Sequence, residues 1–501
     1  MTDLTIAAPL RLEAMAVRSG LPASSGRVVR TGMGARRTAG RLSRIAGDGP
    51  LAVLGVAGAL QRDLQPGDLV VASEIRRADD PSAPVATCPS APLLAGALRR
   101  AGLKVHVGPI VTTDRVVHGA ARDALATTGA LAVDMESADL VAPWPLRPLA
   151  VVRAIVDTPD APLMRPATLR RGVQALGSLR RAAVVVADWA AATSARGVVL
   201  AAPRSFCAGV ERAIDIVSRA LQRFGAPVYV RRQIVHNAHV VADLESRGAV
   251  FVEELDEVPP GARVVLAAHG VAPTVRHQAV ERSLSVIDAT CPLVAKVHSE
   301  VRRYAGAGHT VVLIGHADHE EVIGTVGEAP ERVRVVADEA EAAAVEVDDP
   351  DRVSYVMQTT LAVDDGDRIS HVLRSRFPQL RAPRQDDICY ATSNRQQAVR
   401  EIAGDVDLVL VVGSTNSSNS LRLVEVAQRA GVPSYLVDAV ADVDLGWLDG
   451  VQRIGLTAGA SAPPHLVDDI VGVLSGLGTV TVHEHRSVEE DVRFTLPKEV
   501  S

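Results

Sequence analysis

The chain has 501 residues, of which 47% are hydrophobic, and carries a formal net charge of −6 at pH 7. This length exceeds one ordinary domain, so we expect at least two hydrophobic cores. Acidic and basic residues are mixed and no basic run occurs, so the sequence lacks the cluster of positive charge that nucleic-acid binding requires. No apolar stretch is long enough for a membrane span, and MTDLTIAAPL lacks the basic start of a secretory signal. A cytoplasmic protein that acts on small molecules is expected.

The first half alternates apolar runs with helical patterns up to about Ala192. The apolar runs are LTIAAP, GRVVRTGMG, LAVLGVAG, GDLVVASE, KVHVGPIVTT, ALAVDME and PLAVVRAIVD. A long helix is predicted over TLRRGVQALGSLRRAAVVVADWAAA, after which TSARG breaks the pattern and VVLAAP begins a new strand series. We therefore predict two α/β domains with parallel sheets, residues 1–193 and 197–501, each able to fold alone.

In the second half, apolar runs end in polar residues. Cys207 follows VVLAAP, Cys291 follows SVIDAT and Cys389 follows DDI. Between and after them, other runs lead into further polar residues: His236, His269, His316, His319, Thr359, Thr360, Ser417, Ser418, Asn419 and Ser461. Ligands of open α/β sheets bind outside the carboxyl ends of the strands. The pattern predicts three α/β modules, each opening with one cysteine, that bring the three thiols to one place.

Three thiolates suit an iron–sulfur cluster with one iron free of protein ligands, or a catalytic zinc with an open position. Buried structural cysteines are the ordinary alternative. The serine, threonine and asparagine side chains predict a pocket for an anion such as a diphosphate, although GSTNSSNS also fits a polar turn. The sequence contains no GxxxxGK[ST], which excludes a nucleotide-type phosphate loop.

Residues 197–497 resemble the 4-hydroxy-3-methylbut-2-enyl diphosphate reductases, the last enzymes of the methylerythritol phosphate route to isoprenoids. The matching stretches, in order, are PRSFCAGVERAI, YVRRQIVHN, AAHGV, DATCPLVAKVH, IGHADHEEVIGT, QTTLAVDD, ICYATSNRQQAVR, VVGSTNSSNS and TAGASAP. The resemblance covers the whole second half, and it implies three modules around a central iron–sulfur cluster.

This resemblance implies that Cys207, Cys291 and Cys389 bind a [4Fe-4S] cluster. It places the substrate diphosphate against a polar set: His236, His269, Ser417, Ser418, Asn419 and Ser461. Further, it implies that His319, Glu321 and Thr359 position and protonate the allylic hydroxyl, with His319 and Thr359 also contacting substrate. Three positions depart from the family pattern: Ser205 replaces a usual glycine, Glu320 a common proline and Ile323 a common glutamate.

No flavin or nicotinamide site is visible in the sequence, so the resemblance implies reduced ferredoxin or flavodoxin as the electron donor. A sensor or scaffold that keeps an iron–sulfur or zinc site without turnover is the alternative. Retention of Glu321 argues against it, because a sensor needs no proton donor.

Residues 1–192 resemble the nucleoside phosphorylase and nucleosidase superfamily through TGMG, GPIVTTDRVV, VDMESADL and VVRAIVDTPD. The resemblance implies that Glu136 holds the ribose hydroxyls, that Met135 lies against the sugar and that Asp157 protonates the departing base. Gly32 and Gly34 would let the backbone approach phosphate or the sugar substituent. Taken alone, DMES also fits an ordinary helix start with acidic residues.

Glu13, in AAPLRLEAMAV, only loosely matches the acidic residue that nucleosidases use, which argues against hydrolysis by water and leaves phosphorolysis or a lost activity open. TGMG, TTDRV and DMES are similar to the branch of the superfamily that acts in hopanoid biosynthesis, which suggests an isoprenoid link between the halves. Nothing in the sequence pairs Cys88 with the other three cysteines, so we expect it to be structural.

Overall fold

The computed structural model describes residues 3–161, 163 and 168–501, which pack into two compact units. The first unit runs to Val198 and also takes in Ala439–Arg453 and Asp468–Val482. The second unit comprises Val199–Asp438, Ile454–Val467 and His483–Ser501. Two stretches of the second half of the sequence are thus integral to the first unit.

The first unit is built on an eight-stranded sheet. Its strands are β1 (Thr5–Ala8), β2 (Arg27–Arg30), β3 (Leu51–Ala59), β4 (Leu69–Arg77), β5 (Pro84–Thr87), β6 (Val105–Thr112), β7 (Ala132–Asp134) and β8 (Leu149–Asp157). Its helices are α1 (Arg11–Gly20), α2 (Ala35–Ala39), α3 (Ala91–Arg100), α4 (Ala120–Ala126), α5 (Ser137–Val141) and α6 (Thr168–Ala191). The order is β2-β1-β3-β7-β6-β4-β5, and β8 pairs with both β3 and β4.

This sheet is mixed, so the prediction of a parallel sheet in the first half is wrong. β8 runs parallel to β3 but antiparallel to β4, and β7 runs antiparallel to β3. The connection between β3 and β4, residues 60–68, is too short for the crossover helix that successive parallel strands require. The chain therefore reverses direction between them.

The long predicted helix is confirmed as α6, which presents an alanine- and valine-rich face to the core. Leu179, Val186 and Trp189 are buried on it, and the Trp189 indole N–H donates to Ser90 Oγ at 3.1 Å. Their spacing matches the period of one helical face. A buried indole needs such a partner, so this bond fixes the end of α6 within the first unit.

The stretch Ala439–Arg453 packs on α3. Gly96 leaves room there for Ala441, because an added Cβ would overlap the Ala441 carbonyl. The Arg100 guanidinium donates to the carbonyls of Ala441 and Val443, the latter at 2.9 Å. A separated second half would expose this face, so independent folding of residues 197–501 stays a prediction.

The second unit contains three sheets. Its strands are β9 (Arg196–Ala202), β10 (Val228–Arg231), β11 (Ala249–Val252), β12 (Arg263–Leu266), β13 (Ser285–Asp288), β14 (Thr310–Ile314), β15 (Val333–Val336), β16 (Val353–Met357), β17 (Leu408–Val412), β18 (Ser434–Val437), β19 (Arg453–Ala458) and β20 (Val480–Arg486). Their orders are β11-β10-β12-β13, β15-β14-β16 and β18-β17-β19-β9-β20. The helices are α7 (Ala208–Phe224), α8 (Ala238–Ser246), α9 (Pro273–Glu281), α10 (Pro292–Gly306), α11 (Glu320–Val326), α12 (Glu339–Ala344), α13 (Val363–Arg376), α14 (Tyr390–Ala403), α15 (Ser418–Arg429) and α16 (Pro464–Ser475). Of these elements, β9, β20 and α16 belong partly to the first unit, which includes residues up to Val198 and Asp468–Val482.

The three-module α/β architecture is confirmed, and the pairs within β10–β13, β14–β16 and β17–β19 are parallel. One detail is wrong: Cys389 does not follow a strand, since residues 382–389 are irregular. In the described part of the chain, no helix has both the length and the apolar character that a bilayer span requires.

Candidate functional site

Each of three cysteines stands at the start of a helix. Cys207, Cys291 and Cys389 are the N-cap residues of α7, α10 and α14, all with extended backbone. All three line one cavity of about 780 Å³ in the second unit. The partial positive charge of a helix N-terminus favours thiolate, so three helices favour negative charge at this end of the cavity.

The turn before Cys207 is held from the neighbouring helix α14. Ser205 adopts a left-handed conformation with φ 60°, and the buried Arg395 donates to its carbonyl at 2.8 Å. Arg395 also pairs with Glu490 at 3.0 Å. The departure at Ser205 therefore keeps a turn that glycine would adopt without strain.

The sulfur atoms of Cys207 and Cys291 face a common space. A Cβ added to Gly209 would lie 2.8 Å from Cys291 Sγ and 3.8 Å from Cys207 Sγ, so both sulfurs face one space that only glycine leaves free. Burial, together with the neighbouring thiols, raises the pKa of Cys291 to about 12 and that of Cys389 to about 11. A thiophilic metal that binds Cys291 and Cys389 would have to displace their protons.

Glu321 is a buried carboxyl group on α11 that faces the cysteines' cavity. Its Oε1 accepts from the Thr359 backbone N–H at 2.7 Å and its Oε2 from Thr359 Oγ1 at 2.9 Å. Burial raises the pKa of Glu321 to about 7, although the Thr359 bonds oppose the shift. A carboxyl group with this pKa supplies a proton near neutrality.

Three histidines cluster on the same cavity. The His236 and His269 rings stack with centroids 3.9 Å apart, and His319 lies edge-on to both, at 5.5 Å and 6.0 Å. Burial is the main cause that lowers the pKa of His236 to about 2 and that of His319 to about 4; the adjacent His269 contributes to both shifts. Imidazole N–H groups are therefore concentrated on one wall.

A network of hydroxyl and amide groups forms another wall, at the start of α15. Ser417 caps this helix and lies 3.3 Å from Ser461, whose hydroxyl donates to the His236 carbonyl at 3.0 Å. Ser418 Oγ accepts from Thr360 at 3.1 Å, and Asn419 Oδ1 accepts from the Ala460 N–H at 2.9 Å. Hydroxyl groups at the N-terminus of a twelve-residue helix suit an anion.

The predicted residues of the first half line a separate cavity of about 780 Å³ in the first unit. Glu136 lies there beside Arg153, a fully buried guanidinium 3.3 Å from Glu136 Oε1 and 2.7 Å from Asp134 Oδ2. Burial raises the pKa of Glu136 to about 7, while Arg153 opposes and Asp134 reinforces the shift. Glu136 is thus a fixed polar group in a mostly apolar cavity, and Met135 lines the same wall.

Asp157 and Glu13 also line this cavity, but both are engaged within the protein. Arg122 Nη1 lies 2.6 Å from Asp157 Oδ2. The Glu13 oxygens accept backbone N–H bonds from Leu10 at 2.5 Å and Val56 at 2.8 Å. Proton donation by Asp157 requires opening of its ion pair, whereas the two backbone bonds fix the orientation of the Glu13 carboxyl group.

The loop that carries Gly32 and Gly34 contributes to this cavity through Met33. Both glycines have positive φ, 89° and 84°, and a Cβ on Gly32 would meet the Arg37 side chain at 2.9 Å. Cys88 is buried in the first unit and lines neither cavity, and burial raises its pKa to about 12. The structure therefore places Cys88 apart from the other three thiols.

Sequence reasoning missed the buried arginines that organise both sites. Arg153 lies inside the apolar strand LAVVRAIVD, and this lone charge was the available signal. Arg122 and Arg395 lie on helices of ordinary composition. Their partners are distant in sequence, so no local pattern indicates the pairs.

Two family models match the chain. Residues 198–475 match the LytB protein model, and residues 24–143 match the Phosphorylase superfamily model. A similar curated protein is 4-hydroxy-3-methylbut-2-enyl diphosphate reductase 1 of Mycobacterium tuberculosis, 56% identical over 307 residues, which cover 60% of this chain and 93% of that protein. The reductase of Acidothermus cellulolyticus is 58% identical over 306 residues, covering 61% of this chain and 90% of that protein.

Solved structures agree for the second half. The E-1-hydroxy-2-methyl-but-2-enyl-4-diphosphate reductase from Plasmodium falciparum aligns with a TM-score of 0.58 and 38% identity, over 62% of this chain and 96% of that one. The 5′-methylthioadenosine/S-adenosylhomocysteine nucleosidase from Neisseria meningitidis aligns with a TM-score of 0.31 and 20% identity, over 37% of this chain and 99% of that one.

Proposed function

The chain belongs to the LytB protein family, and we propose that its second half reduces 4-hydroxy-3-methylbut-2-enyl diphosphate to isopentenyl and dimethylallyl diphosphate in the cytoplasm. The observation that carries the proposal is the buried Glu321 carboxyl group, bound twice by Thr359 in the same cavity as the three thiols. A site for reductive loss of a hydroxyl group needs a proton source beside a redox centre, and this cavity combines both elements.

The polar side chains that line the cavity would bind the diphosphate. The hydroxyls of Ser417, Ser418 and Ser461 and the amide of Asn419 surround the N-terminus of α15, and His236 and His269 lie across the cavity. Charge-assisted hydrogen bonds to phosphate oxygens are stronger than neutral ones. The diphosphate would anchor here and point the allylic hydroxyl towards Glu321.

Glu321 would supply the proton with which the hydroxyl leaves as water. Thr359 holds the carboxyl group by two bonds and would connect it to the substrate oxygen. The His319 Nδ1 accepts from the Glu321 backbone N–H at 3.1 Å, which leaves its Nε2–H free to donate to substrate. The overall reaction takes up two electrons and two protons, breaks one C–O bond and releases water, and the allyl fragment is protonated at either end.

Cys207, Cys291 and Cys389 would hold a [4Fe-4S] cluster, since three soft thiolates and one side open to a polar cavity fit such a group. When bound, the cluster supplies single electrons and Lewis acidity. Reduced ferredoxin or flavodoxin is the proposed donor.

For residues 1–193 we propose binding of a purine nucleoside. Glu136 would meet the ribose hydroxyls, Met135 the sugar and Asp157 the base, because all three line one cavity. Leu10, Met33 and Val116 are partly exposed at this cavity, and an apolar 5′ substituent, as in hopanoid precursors, would cover them.

Anaerobic purification of the full chain, followed by iron and sulfide analysis, tests the reductase proposal. We expect about four irons and four sulfides per chain, and conversion of the allylic diphosphate to both products with a reduced donor. Colourless protein with stoichiometric zinc would contradict the proposal and favour the sensor alternative. Residues 197–501 expressed alone should retain this activity if the halves are independent, and inactivity of that fragment beside an active full chain would refute the division.

For the first half, calorimetry with adenosine in phosphate buffer provides the corresponding test. Binding should be lost in Glu136→Ala and retained in Cys88→Ser, because Glu136 lines the cavity and Cys88 does not. Equal binding by both variants would contradict the proposed nucleoside site.

A further inference from the structure

Thr392 lies beside the sulfur atom of Cys389. Cys389 is the N-cap of α14 and Thr392 is the third residue of that helix, a spacing that brings the two side chains together. Thr392 is buried at the wall of the cysteines' cavity, and its Oγ1 lies 3.2 Å from Cys389 Sγ. Within the residues that the structure describes, no other side chain makes a hydrogen bond to any of the three thiols.

Asn419 determines the direction of this hydrogen bond. Its Oδ1 accepts the Ala460 N–H at 2.9 Å, so its Nδ2 is the atom that faces Thr392 Oγ1, 3.2 Å away. An amide nitrogen only donates, so the Thr392 oxygen accepts this bond and keeps its own hydrogen for another acceptor. A metal-bound thiolate carries no hydrogen, so Cys389 Sγ is that acceptor once it binds a metal.

The helices that carry the other two cysteines lack this hydroxyl group. At the same position, three residues after the cysteine, α7 has Val210 and α10 has Val294. Both valines line the cavity, as Thr392 does. Valine and threonine are both β-branched and similar in shape, so filling the space does not require a hydroxyl group. A buried hydroxyl group costs free energy unless it is hydrogen-bonded, which makes its two bonds the physical account of Thr392.

We propose that Thr392 is a positioning residue that donates to the Cys389 sulfur and thereby makes the bound cluster easier to reduce. Reduction adds negative charge to a cluster and its ligand sulfurs, and a hydrogen bond to a sulfur stabilises that charge. The hydroxyl group therefore raises the reduction potential and favours electron transfer from the external donor. The inference rests on the proposed [4Fe-4S] cluster, and it gives one of the three ligands a role that the other two do not share.

Thr392→Val tests the hydrogen bond, because it removes the hydroxyl group and gives α14 the residue that α7 and α10 have. In the cluster-loaded full chain at a fixed potential, we expect the ratio of reduced to oxidised cluster to fall about tenfold. For a one-electron couple this equals a midpoint potential about 59 mV lower. Anaerobic redox titration followed by electron paramagnetic resonance measures the shift, and the iron and sulfide contents should stay at the wild-type level.

Two further variants separate the hydrogen bond from packing. Thr392→Ser keeps the hydroxyl group, so the ratio of reduced to oxidised cluster should remain within about twofold of the wild type. Thr457→Val makes the matched change at a buried threonine of β19 that does not line the cavity, so the midpoint potential should not change.

Resonance Raman spectroscopy in H2O and D2O provides an independent readout of the same bond. Deuterium on the Thr392 hydroxyl group should shift the iron–sulfur stretching band of the Cys389 ligand. We expect the difference between the two solvents to be smaller in Thr392→Val than in the wild type, and equal to the wild type in Thr457→Val.

An unchanged midpoint potential in Thr392→Val would overturn the inference, as would equal shifts in Thr392→Val and Thr457→Val. Loss of cluster iron from Thr392→Val would overturn it too, in favour of a structural role. The expected shift in a chain that does not reduce the allylic diphosphate would support the inference and refute the proposed reductase function. A wild type that binds no iron–sulfur cluster would refute both.

Discussion

Glu321 in the second unit and Glu136 in the first are both buried, and burial raises the pKa of each to about 7. Their partners differ, because Glu321 accepts from the neutral groups of Thr359 whereas Glu136 lies beside the buried Arg153 guanidinium. Glu321 can therefore change its charge without breaking an ion pair. Glu136 cannot, since a proton gained there weakens its attraction to Arg153. Although their pKa values are similar, Glu321 is suited to donate a proton and Glu136 is suited to accept hydrogen bonds as a fixed carboxylate.

Removal of single thiols should give the largest effect, and we expect it to be confined to the cavity of the second unit. Cys207→Ser, Cys291→Ser and Cys389→Ser should each lose cluster iron and reductase activity, because serine is a poor ligand for iron–sulfur clusters. Cys88→Ser should retain both, since Cys88 lies outside the cavity. Iron and sulfide analysis checks this, and loss of iron in the Cys88 variant would contradict the assignment of ligands.

Arg153→Met tests the ion-pair side of the comparison. It leaves Asp134 and Glu136 buried without their cation, so we expect the free energy of unfolding to fall by about 3–5 kcal/mol at pH 8. The raised pKa of Glu136 should rise further, so stability is recovered as pH falls to 5 and is lost as pH rises through 7. Urea denaturation at both pH values measures this effect.

The matched control is Arg62→Met, which removes an exposed pair with Asp160 and should cost under about 1 kcal/mol. Equal losses in the two variants, or a loss at Arg153 that does not vary with pH, would contradict the assigned role of the buried guanidinium.

Glu321→Gln tests the proton-donor side. The variant keeps the shape of the carboxyl group but has no acidic proton, so turnover should fall about 100-fold or more while cluster content and substrate binding persist. In the wild type, kcat/KM should fall about tenfold per pH unit above about pH 7, as the carboxyl group ionises, and the variant should lack this limb. Near-normal turnover in the variant would remove Glu321 from the mechanism.

The smallest expected effect concerns the turn before Cys207. Ser205→Gly relieves a left-handed serine at φ 60°, so the free energy of unfolding should rise by about 1 kcal/mol, measured by thermal denaturation. Ser283→Gly relieves a comparable conformation, φ 55°, away from the cysteines and should stabilise similarly. Destabilisation by Ser205→Gly alone would show that the Ser205 side chain, rather than its backbone, maintains the turn.

Many site residues of the second half could be predicted from the sequence because they lie in short contiguous motifs. His269, Thr359 and Ser461 follow within three residues of the ends of β12, β16 and β19, each in a different sheet, and all three line one cavity. Cys389 was placed in the cavity for the wrong local reason, since it caps a helix after irregular chain.

Pairs that join distant segments could not be predicted in this way. The ion pair between Arg122 and Asp157 and the contact of Arg395 with Ser205 depend on three-dimensional proximity that no spacing encodes. The mixed first sheet also escaped prediction, because apolar runs indicate strands but not their direction.

The inclusion of Ala439–Arg453 in the first unit has a consequence for proteolysis. A protease that cuts after Ala192 would sever the covalent link, yet the segment before the cut would stay bound through α3 to Ala441 and Val443. Cleavage alone therefore would not release one half from the other. A substitution at Gly96 would weaken this association, because any added side chain meets the Ala441 carbonyl.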